Sequence, residues 1–426
     1  MDDKYSKNYL TTVIDLKYPQ RIIDINGQEI QFKDYHAEIP LETAYILSRN
    51  YHDEYLFPNL DTNIPFKRNS WSKEKRIIWS CNYASANGFG YVAENTVKYL
   101  KRAGYDVYNP GFVSGNLVAG GGLVDEEVKD TIGKAIFPDC LEVQHCQPPA
   151  FREGIVDKSW IYTMFETTHT PKRWIKIMNK VKFILTPTSW IIPYWQEQGL
   201  KTPVEVYGHG IDKNAYSYLD RPVNREPYTF LHFCQLSIRK GIDIVAKAFV
   251  EEFRGQNDVK LVVKNTYPVF PIPYNLPNVV YIAATYTKEQ MRDMMFNADC
   301  FVFPTRGEGF GLTPFEAMAT GLPTIVTGWS GPADYIDKDD TLILDYDMVR
   351  SDDFNMLYKD HLEYKEDTGY WAEPKFEQVR HYMRWCYENR EKAKEMGKRA
   401  AERLARDWSW EKKVGELIGI INKNLK

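Results

Sequence analysis

Residues 299–321 read DCFVFPTRGEGFGLTPFEAMATG, and this stretch decides the fold of the second half of the chain. Its apolar run from Cys300 to Phe303 is ended by a proline, which predicts a short strand buried on both faces. Three glycines follow at alternate positions, and glycine lets a backbone turn sharply or approach a ligand closely. These glycines are Gly307, Gly309 and Gly311.

The second part of the same stretch predicts a helix that begins at Thr313. Thr313 fits the N-cap, Pro314 the first helical position and Glu316 the third, which is the pattern of a capping box. Gly321 and Pro323 then end the helix. A helix start directly after a strand end places exposed N–H groups and a positive dipole end above that strand.

Two glutamates, Glu308 and Glu316, stand eight positions apart around this turn. A capping box alone would explain Glu316, but it explains neither Glu308 nor the three glycines. An anion joined to a polyhydroxyl group would explain all of them, since N–H groups hold phosphate or sugar oxygens and carboxylates accept hydrogen bonds from hydroxyls. We therefore interpret the turn as a ligand site.

Length and composition indicate a globular protein with more than one domain. The chain has 426 residues, which exceeds one ordinary core, and 43% of them are hydrophobic. Its net charge of −4 gives no overall attraction to nucleic acid or to an anionic membrane. No apolar run could span a bilayer, and the charged start lacks the apolar core of a secretory signal. We expect a cytoplasmic protein, with attachment to a membrane surface left open.

Six scattered cysteines, most of them in apolar runs, predict reduced core residues as in a cytosolic protein. Cys140 and Cys146 flank Gln144 and His145, but their spacing matches no usual zinc pattern. No Asp-x-Asp pair lies in a loop suited to a metal. The sequence therefore predicts neither a metal site nor a cofactor.

The start of the chain differs from the rest and predicts a small accessory module. Alternating apolar residues on both sides of Asn26-Gly27 predict a hairpin, and residues 40–55 predict a helix. The expected divisions are an accessory module at 1–70, an N-terminal domain at 71–210, a C-terminal domain at 211–408, and a last helix at 409–426.

From Arg76 onward, strands and helices alternate in two successive series, the second of which begins near Tyr228. This alternation predicts an α/β protein with two doubly wound, mostly parallel sheets that face a cleft. Ligands of such sheets lie beyond the carboxyl ends of the strands. We therefore expect the functional residues in the loops at those ends.

Two further loops at strand ends carry candidate residues. Gly88, Phe89 and Gly90 form a turn before a helix, which suits a phosphate or a sugar, although glycine turns are also plain connectors. Arg239 and Lys240 stand between a strand and a helix start, where they could neutralise a departing diphosphate. The alternative is an exposed basic pair, but cations are unfavourable beside the positive end of a helix.

The stretch RGEGFGLTPFEAMATGLPTIVTGWSGPADYI at 306–336 resembles the E-x7-E signature of retaining glycosyltransferases of the GT-B fold, specifically glycosyltransferase family four. Other stretches resemble the first glycine loop and helix, the interdomain stretch, the phosphate-binding turn and the last helix of that family. They read NGFGYVAENTVKYLKRAGYDV, TPTSWIIPYWQEQGL with VEVYGHGID, RKGID, and WSWEKKVGELIGII. The likeness covers about residues 76–426 and implies two Rossmann-like domains.

The resemblance implies a role for each residue of the signature. Glu308 would contact hydroxyls of the donor sugar, and Glu316 would bind the ribose of the nucleotide. Arg239 and Lys240 would hold the diphosphate, while N–H groups of the glycine loop would hold sugar or phosphate oxygens. The other donor-binding residues would be Gly88, Phe89, Gly90, Gly309, Phe310, Gly311 and Leu312.

The likeness to the family is less direct at three positions. His145 falls where this family often has a histidine near the donor sugar, and a buried, hydrogen-bonded histidine is the alternative. The family commonly has an arginine about five residues before the lysine of its K-G turn, and Gln235 falls near that place. Arg239 would then be the substitute cation. His209 stands where asparagine is usual, which would alter only the hinge.

The resemblance implies an enzyme that moves a hexose or pentose from a UDP- or GDP-linked donor to an acceptor hydroxyl, with retention of configuration and without a metal. The acceptor stays open among a glycan, a lipid and a hydroxylated base in DNA. Basic stretches with tryptophans at 67–76 and 170–182 permit an anionic acceptor, and a solvated helix face is their alternative. Other functions on this architecture are a nucleotide-sugar epimerase, a sugar phosphorylase, or a sugar-nucleotide-binding protein without turnover. The sequence does not predict the oligomeric state.

Overall fold

A computed structural model describes residues 10–15, 20–25, 28–33, 36–40, 55–56, 75–81, 83, 88–109, 124–132, 140–151, 159–233, 237–265, 278–351 and 367–425. By the contacts within the chain, the protein divides into two compact units. The first unit comprises residues 1–163 and 180–184, and the second comprises residues 164–179 and 185–426.

The N-terminal part contains a five-stranded antiparallel sheet with the order β2-β3-β4-β1-β5. Its strands are β1 Leu10–Asp15, β2 Gln20–Ile25, β3 Gln28–Lys33, β4 His36–Pro40 and β5 Tyr55–Leu56. Ile23 pairs with Ile30, so the two predicted strands of the hairpin are confirmed, and Asn26-Gly27 lies outside the described residues. Most of the helix predicted at 40–55 also lies outside them, and its two end residues belong to β4 and β5 instead.

A six-stranded sheet follows, with the order β11-β10-β9-β8-β6-β7 and parallel pairing of β6 with β7, β6 with β8, and β8 with β9. Its strands and the accompanying helices are β6 Arg76–Ser80, α1 Gly88–Arg102, β7 Asp106–Tyr108, α2 Glu126–Lys129, β8 Leu141–His145, β9 Ser159–Tyr162, α3 Lys172–Met178, β10 Phe183–Thr186, α4 Ile192–Glu197 and β11 Val204–Val206. The strand order reverses direction between β6 and β8.

A second six-stranded sheet is parallel throughout and has the order β14-β13-β12-β15-β16-β17. Its elements are β12 Tyr228–Phe233, α5 Ile242–Glu252, β13 Val259–Asn265, β14 Val279–Ala283, α6 Lys288–Phe296, β15 Cys300–Phe303, α7 Leu312–Ala319, β16 Thr324–Thr327 and β17 Leu342–Leu344. The strand order reverses between β12 and β15. These two sheets with their helices confirm the predicted α/β architecture.

The chain ends with a two-stranded hairpin and three helices. Strands β18 Tyr346–Arg350 and β19 Tyr370–Pro374 pair antiparallel, and α8 Phe376–Glu388, α9 Arg390–Asp407 and α10 Trp410–Asn424 follow. In α10, Lys423 forms an ion pair with Glu205 of β11 at 2.8 Å. Among the described helices, none combines the length and apolar character needed to cross a bilayer.

Strand β15 is buried on both faces, as its apolar run predicts. Phe301 and Phe303 belong to one core cluster, together with Phe315 of α7. Cys300 and Val302 belong to a second cluster that includes residues of α5 and α8. Because successive side chains of a strand point to opposite faces, a run of four apolar residues serves both cores at once.

Helix α7 begins earlier than predicted, and the predicted capping box is wrong. Its N-cap is Gly311, which has a left-handed φ of 90° and makes no side-chain cap, so Thr313 and Glu316 cannot form the expected pair of hydrogen bonds. The hydroxyl of Tyr335 donates to the carbonyl of Gly311 at 2.7 Å and holds this conformation, which favours glycine. The predicted end is confirmed, since Gly321 follows the last turn with a φ of 77°.

The expectation of reduced core cysteines is confirmed for the five cysteines in the described ranges. All five are buried and free, including Cys300 and Cys386, whose sulfur atoms lie 3.7 Å apart. Cys234 lies outside the described residues.

Candidate active site

The strand order of the second parallel sheet marks the place where a ligand should bind. In doubly wound sheets, ligands lie beyond the carboxyl ends of the strands at the point where the order reverses, which here falls between β12 and β15. The turn Ile238–Lys240 follows β12, and the loop 304–311 follows β15. The structure thus brings the predicted residues Arg239, Lys240 and Glu308 together at the switch point.

These three residues form a compact ion cluster. The ammonium group of Lys240 lies 2.7 Å from the carboxylate of Glu308, and Arg239 Nη1 donates to the same carboxylate at 3.2 Å. Thr305 Oγ1 also donates to Glu308, at 3.1 Å. The side chains of Arg239 and Lys240 are only 11% and 15% exposed, so the alternative of an exposed basic pair is wrong.

The cluster keeps Glu308 ionised although it is buried. Burial raises the pKa of Glu308, but the charges of Lys240 and Arg239 and the hydrogen bonds from Lys240 and Thr305 outweigh it and hold the pKa below its ordinary value. A stable carboxylate at this position can accept hydrogen bonds from hydroxyl groups of a ligand.

The two loops reach each other because Gly241 allows very close backbone contact. Gly241 has a φ of 76°, and a Cβ atom there would lie 2.1 Å from the carbonyl oxygen of Pro304. The N–H of Arg306 donates to the carbonyl of Arg239 at 2.7 Å, which joins the loops directly. Ser237 caps the turn by accepting from the N–H of Arg239 at 3.1 Å.

Arg306 is a positioning residue that the sequence did not single out. Its side chain, 7% exposed, donates to Glu373 at 2.6 Å and to Asp243 at 2.8 Å, and it also bonds to the carbonyl of Ile238. It therefore fixes the turn that carries Lys240. Its place in the glycine loop was visible in the sequence, but its partners lie 63 and 67 positions away and gave no local signal.

Two of the three loop glycines are explained by contact with the protein itself. A Cβ atom on Gly307 would lie 2.2 Å from the carbonyl oxygen of Glu166, and one on Gly309 would lie 2.3 Å from the sulfur of Met164. The carbonyl of Gly309 accepts from Thr188 Oγ1 at 2.8 Å. The segment after β9 therefore fills the space that a side chain would need at these two positions, and the donor-binding role of Gly309 stays a prediction.

The start of α7 presents N–H groups for an anion. Within the part of the chain that the structure describes, the N–H groups of Phe310, Gly311 and Leu312 have no acceptor. The ring of Phe310 is buried against Phe315 and Tyr335, with ring centroids 5.0 and 5.1 Å away. Side-chain packing thus fixes the loop while its N–H groups remain available to phosphate or sugar oxygens.

Glu316 lies on α7 in a second polar cluster. Its carboxyl group accepts a hydrogen bond from the hydroxyl of Tyr216, while Lys288 forms an ion pair with Asp212 at 3.5 Å. Burial raises the pKa of Glu316, the charge of Lys288 and the hydrogen bond from Tyr216 lower it, and the charge of Asp212 raises it again; the resulting pKa is about 8. Glu316 is therefore largely protonated at neutral pH.

Raising the pH is expected to destabilise the protein through Glu316. An unfolded glutamate has a pKa of about 4.3, so the folded state holds more protons than the unfolded state between that value and about pH 8. The stability that Glu316 contributes is full below the unfolded pKa and is lost as the pH rises through the folded one. As the pH rises across this range, the thermal unfolding temperature should fall less for Glu316→Gln than for the wild type. Glu402→Gln, an exposed change on α9, is the control, and equal declines in all three proteins would contradict the prediction.

The remaining predicted site residues lie in the first compact unit. Helix α1 begins at Gly88, and the ring of Phe89 lies 5.0 Å from that of His145 at the end of β8. Gly90 is buried in the first turn of α1. The glycine turn at 88–90 follows β6 and His145 ends β8, and the order of the first parallel sheet reverses between these two strands.

His145 is buried and neutral. Burial lowers its pKa to about 3, and its ring lies 4.6 Å from that of Tyr162. Neither ring nitrogen has a hydrogen-bond partner among the described residues. The burial agrees with the alternative of a core histidine, whereas the hydrogen bond expected of such a residue is not found in the described ranges.

Two residues depart from the pattern of the resembled family, Gln235 and His209, and the structure describes only the second. Gln235 lies outside the described residues. His209 is buried, and its ring lies 4.2 Å from that of Phe310 in the glycine loop. A Cβ atom on the next residue, Gly210, would lie 2.5 Å from the backbone of Trp410. His209 therefore packs under the loop.

The basic stretch at 170–182 contains α3, and its tryptophan faces inward. Trp174 is 1% exposed, whereas Lys172, Arg173 and Lys176 are exposed. The indole ring is thus not available for stacking against a base. The other basic stretch, at 67–76, lies outside the described residues apart from its last two positions.

Comparison with known proteins agrees with this architecture. Residues 227–354 match the family model Glycosyl transferases group 1. An uncharacterized glycosyltransferase of Bacillus subtilis, YqgM, is 29% identical over 118 residues, which are 26% of this chain and 33% of that protein. The chain therefore spans about a third of the length of this relative.

Two solved structures share the fold across most of the chain. Sucrose-phosphate synthase from Thermosynechococcus elongatus has a TM-score of 0.61 and 13% identity, over 82% of this chain and 98% of that one. HepE of Anabaena, in complex with UDP and glucose, has a TM-score of 0.58 and 11% identity, over 82% and 100%. The chain therefore has the GT-B fold, and its residues 227–354 are similar to the glycosyltransferase group 1 family.

Proposed function

We propose that the protein is a retaining glycosyltransferase that moves a sugar from a nucleoside diphosphate to the hydroxyl group of an acceptor. The observation that carries this proposal is the cluster of Arg239, Lys240 and Glu308 at the switch point of the second parallel sheet. Cations suit a diphosphate, and a carboxylate held ionised beside them suits sugar hydroxyls. The match of residues 227–354 to group 1 glycosyltransferases supports the same reading.

Each group of the cluster has a distinct role in this proposal. Arg239 and Lys240 bind the diphosphate, and the N–H groups at the start of α7 hold its oxygens or those of the sugar. Glu308 accepts hydrogen bonds from sugar hydroxyls. Glu316 binds the ribose of the nucleotide from the same helix.

The proposed reaction breaks the bond between the anomeric carbon and the phosphate oxygen. The electron pair of that bond goes to the departing diphosphate, whose growing negative charge Arg239 and Lys240 stabilise by roughly 3–4 kcal/mol for each well-placed donor. The acceptor hydroxyl attacks the anomeric carbon from the same face, and its proton passes to the departing phosphate. This route retains the anomeric configuration and needs no metal and no protein nucleophile.

One observation for the donor and one for the acceptor indicate which compounds to test first. HepE was solved with UDP and glucose, which makes UDP-glucose the first donor to test. Binding of a DNA base would be favoured by an aromatic platform, but Trp174 in the basic stretch is buried. A glycan or lipid hydroxyl is therefore the acceptor that we propose over a base in DNA.

A panel of UDP- and GDP-linked sugars tests the proposed function. We expect slow release of the nucleoside diphosphate from one donor without any acceptor, and faster release with an acceptor. Release should fall to background in Glu308→Gln, while Glu402→Gln on α9 should behave as the wild type. NMR of the product should show the anomeric configuration of the donor. An isomerised free sugar, or no release from any donor, would overturn the proposal.

A further inference from the structure

Glu166 is a third carboxylate of the candidate site, and sequence reasoning missed it. It comes four residues after the end of β9 and belongs to the second unit, and its carbonyl group packs against Gly307. Its Oε1 atom lies 3.9 Å from Nη2 of Arg239. The side chain is 26% exposed, more than those of Glu308, Arg239 and Lys240, so it can exchange protons with solvent. Its position shortly after a strand was the signal that could have found it.

The charges of this site balance without a ligand. Among the described residues, the charged groups that face Glu166 are Arg239 and Lys240 from the turn after β12 and Glu308 from the loop after β15. On its own segment, His169 bonds to the hydroxyl of Thr168 instead. Two cations thus face two carboxylates.

The two carboxylates hold these cations unequally. Glu308 has both cations within 3.2 Å, whereas Glu166 has one, at 3.9 Å. Burial raises the pKa of Glu166, the charge of Arg239 lowers it, the charge of Glu308 raises it and the charge of Lys240 lowers it, so that the pKa lies above its ordinary value. Glu166 is therefore the carboxylate that the two cations hold less closely, and its nearest cation is Arg239.

A bound diphosphate changes this balance. Its oxygens compete for Arg239 and Lys240 and bring several negative charges into a partly buried site. Glu166 then loses the attraction of its cation and faces added negative charge, and both changes favour its neutral form. A neutral carboxyl group can in turn donate a hydrogen bond to a phosphate or sugar oxygen.

We propose that Glu166 is a positioning residue that takes up a proton from solvent when a nucleoside diphosphate binds to Arg239 and Lys240. This inference rests on the proposed function, because it presupposes that the cation pair binds the diphosphate. It makes donor binding depend on pH: affinity is highest at low pH and falls as the pH rises through the pKa of Glu166 in the free protein.

Calorimetric titration with UDP and with GDP tests this inference. Each titration is done in two buffers of different ionisation heat from about pH 5 to about pH 9, with the wild type, Glu166→Gln and the exposed control Glu395→Gln. We expect wild type and control to take up about one more proton for each nucleotide than Glu166→Gln does. The dissociation constant of the wild type should rise by up to about tenfold for each pH unit, relative to Glu166→Gln. The phosphate groups of the nucleotide titrate in the same way with all three proteins, so their contribution cancels when the proteins are compared.

The outcomes separate this inference from the proposed function. Glu166→Gln resembles the protonated residue, so its affinity should match that of the wild type at low pH and exceed it increasingly as the pH rises. Equal proton uptake in wild type and variant would overturn the inference and leave the proposed function standing. If neither UDP nor GDP binds the wild type, both are overturned. Should the variant fold poorly, wild-type binding without any difference between the buffers at any pH overturns the inference alone.

Discussion

Replacing Lys240 by alanine is expected to slow sugar transfer at saturating donor by about 100- to 1,000-fold. The lysine lies where negative charge would develop on the departing diphosphate, and a fixed cation in a water-poor site stabilises that charge without reorganisation. The same change leaves Glu308, 6% exposed, without its closest cation, at 2.7 Å. Under the proposed function, loss of Lys240 would therefore weaken the binding of the diphosphate and also alter the charge of Glu308, the group proposed to contact the sugar.

Two further variants make this result specific. Lys247→Ala removes an exposed lysine of α5 whose partner, Glu251, lies 4.0 Å away, and it should leave turnover unchanged. Lys240→Arg keeps the charge and should retain more activity than Lys240→Ala, although its planar head fits the Glu308 contact less well. Turnover is measured with the donor that the panel identifies. Transfer by Lys240→Ala at the wild-type rate would contradict the assigned role.

The elements of the second parallel sheet could be predicted because each one has a local cause. Apolar runs such as that of β15, bounded by proline and glycine, occur where both faces of a strand are covered. The carboxyl-end rule then placed Arg239, Lys240 and Glu308 in loops at the ends of strands. What that rule cannot give is pairing: Lys240 and Glu308 are 68 positions apart, and only the folded chain shows that they bind each other.

The failures of the sequence reasoning have a common physical origin. The capping box at Thr313 matched a local pattern, but Gly311 took the N-cap position because Tyr335 holds its carbonyl group from another segment. Gly307 and Gly309 were interpreted as places for a ligand, whereas residues 164–166 occupy the space that a side chain would need there. In each case the local sequence is compatible with two structures, and contact with a distant segment of the chain determines which one forms.

Several contacts within the protein hold the two cations of the site, Arg239 and Lys240, in place. Arg306 holds the turn that carries Lys240 through ion pairs, and Gly241 holds it through close backbone packing. Glu308 and Glu166 hold the two cations from the loop and from the segment after β9. The cations are thus placed before a ligand arrives, and positions set in advance are what electrostatic stabilisation of a departing diphosphate requires.

Replacing Gly241 by alanine is expected to destabilise the second unit by about 3 kcal/mol, whereas Gly255→Ala should cost about 1 kcal/mol. Both glycines have a left-handed φ, of 76° and 77°, so the strain of placing alanine there is shared. They differ in their surroundings. A Cβ atom on Gly241 would lie 2.1 Å from the carbonyl oxygen of Pro304, while nothing lies within 4 Å of one on Gly255. Urea unfolding of the two variants and the wild type measures the difference.

The same pair of variants also tests how closely the site depends on its backbone. Relief of the contact with Pro304 must move the turn that carries Lys240 away from the loop that carries Glu308. Because a displacement of about 1 Å can cost about 100-fold in rate, Gly241→Ala should lose transfer activity under conditions in which it is still folded. Gly255→Ala should keep it. Equal stability of the two variants, or a folded Gly241→Ala protein with full activity, would show that the contact between the two loops does not position the cations.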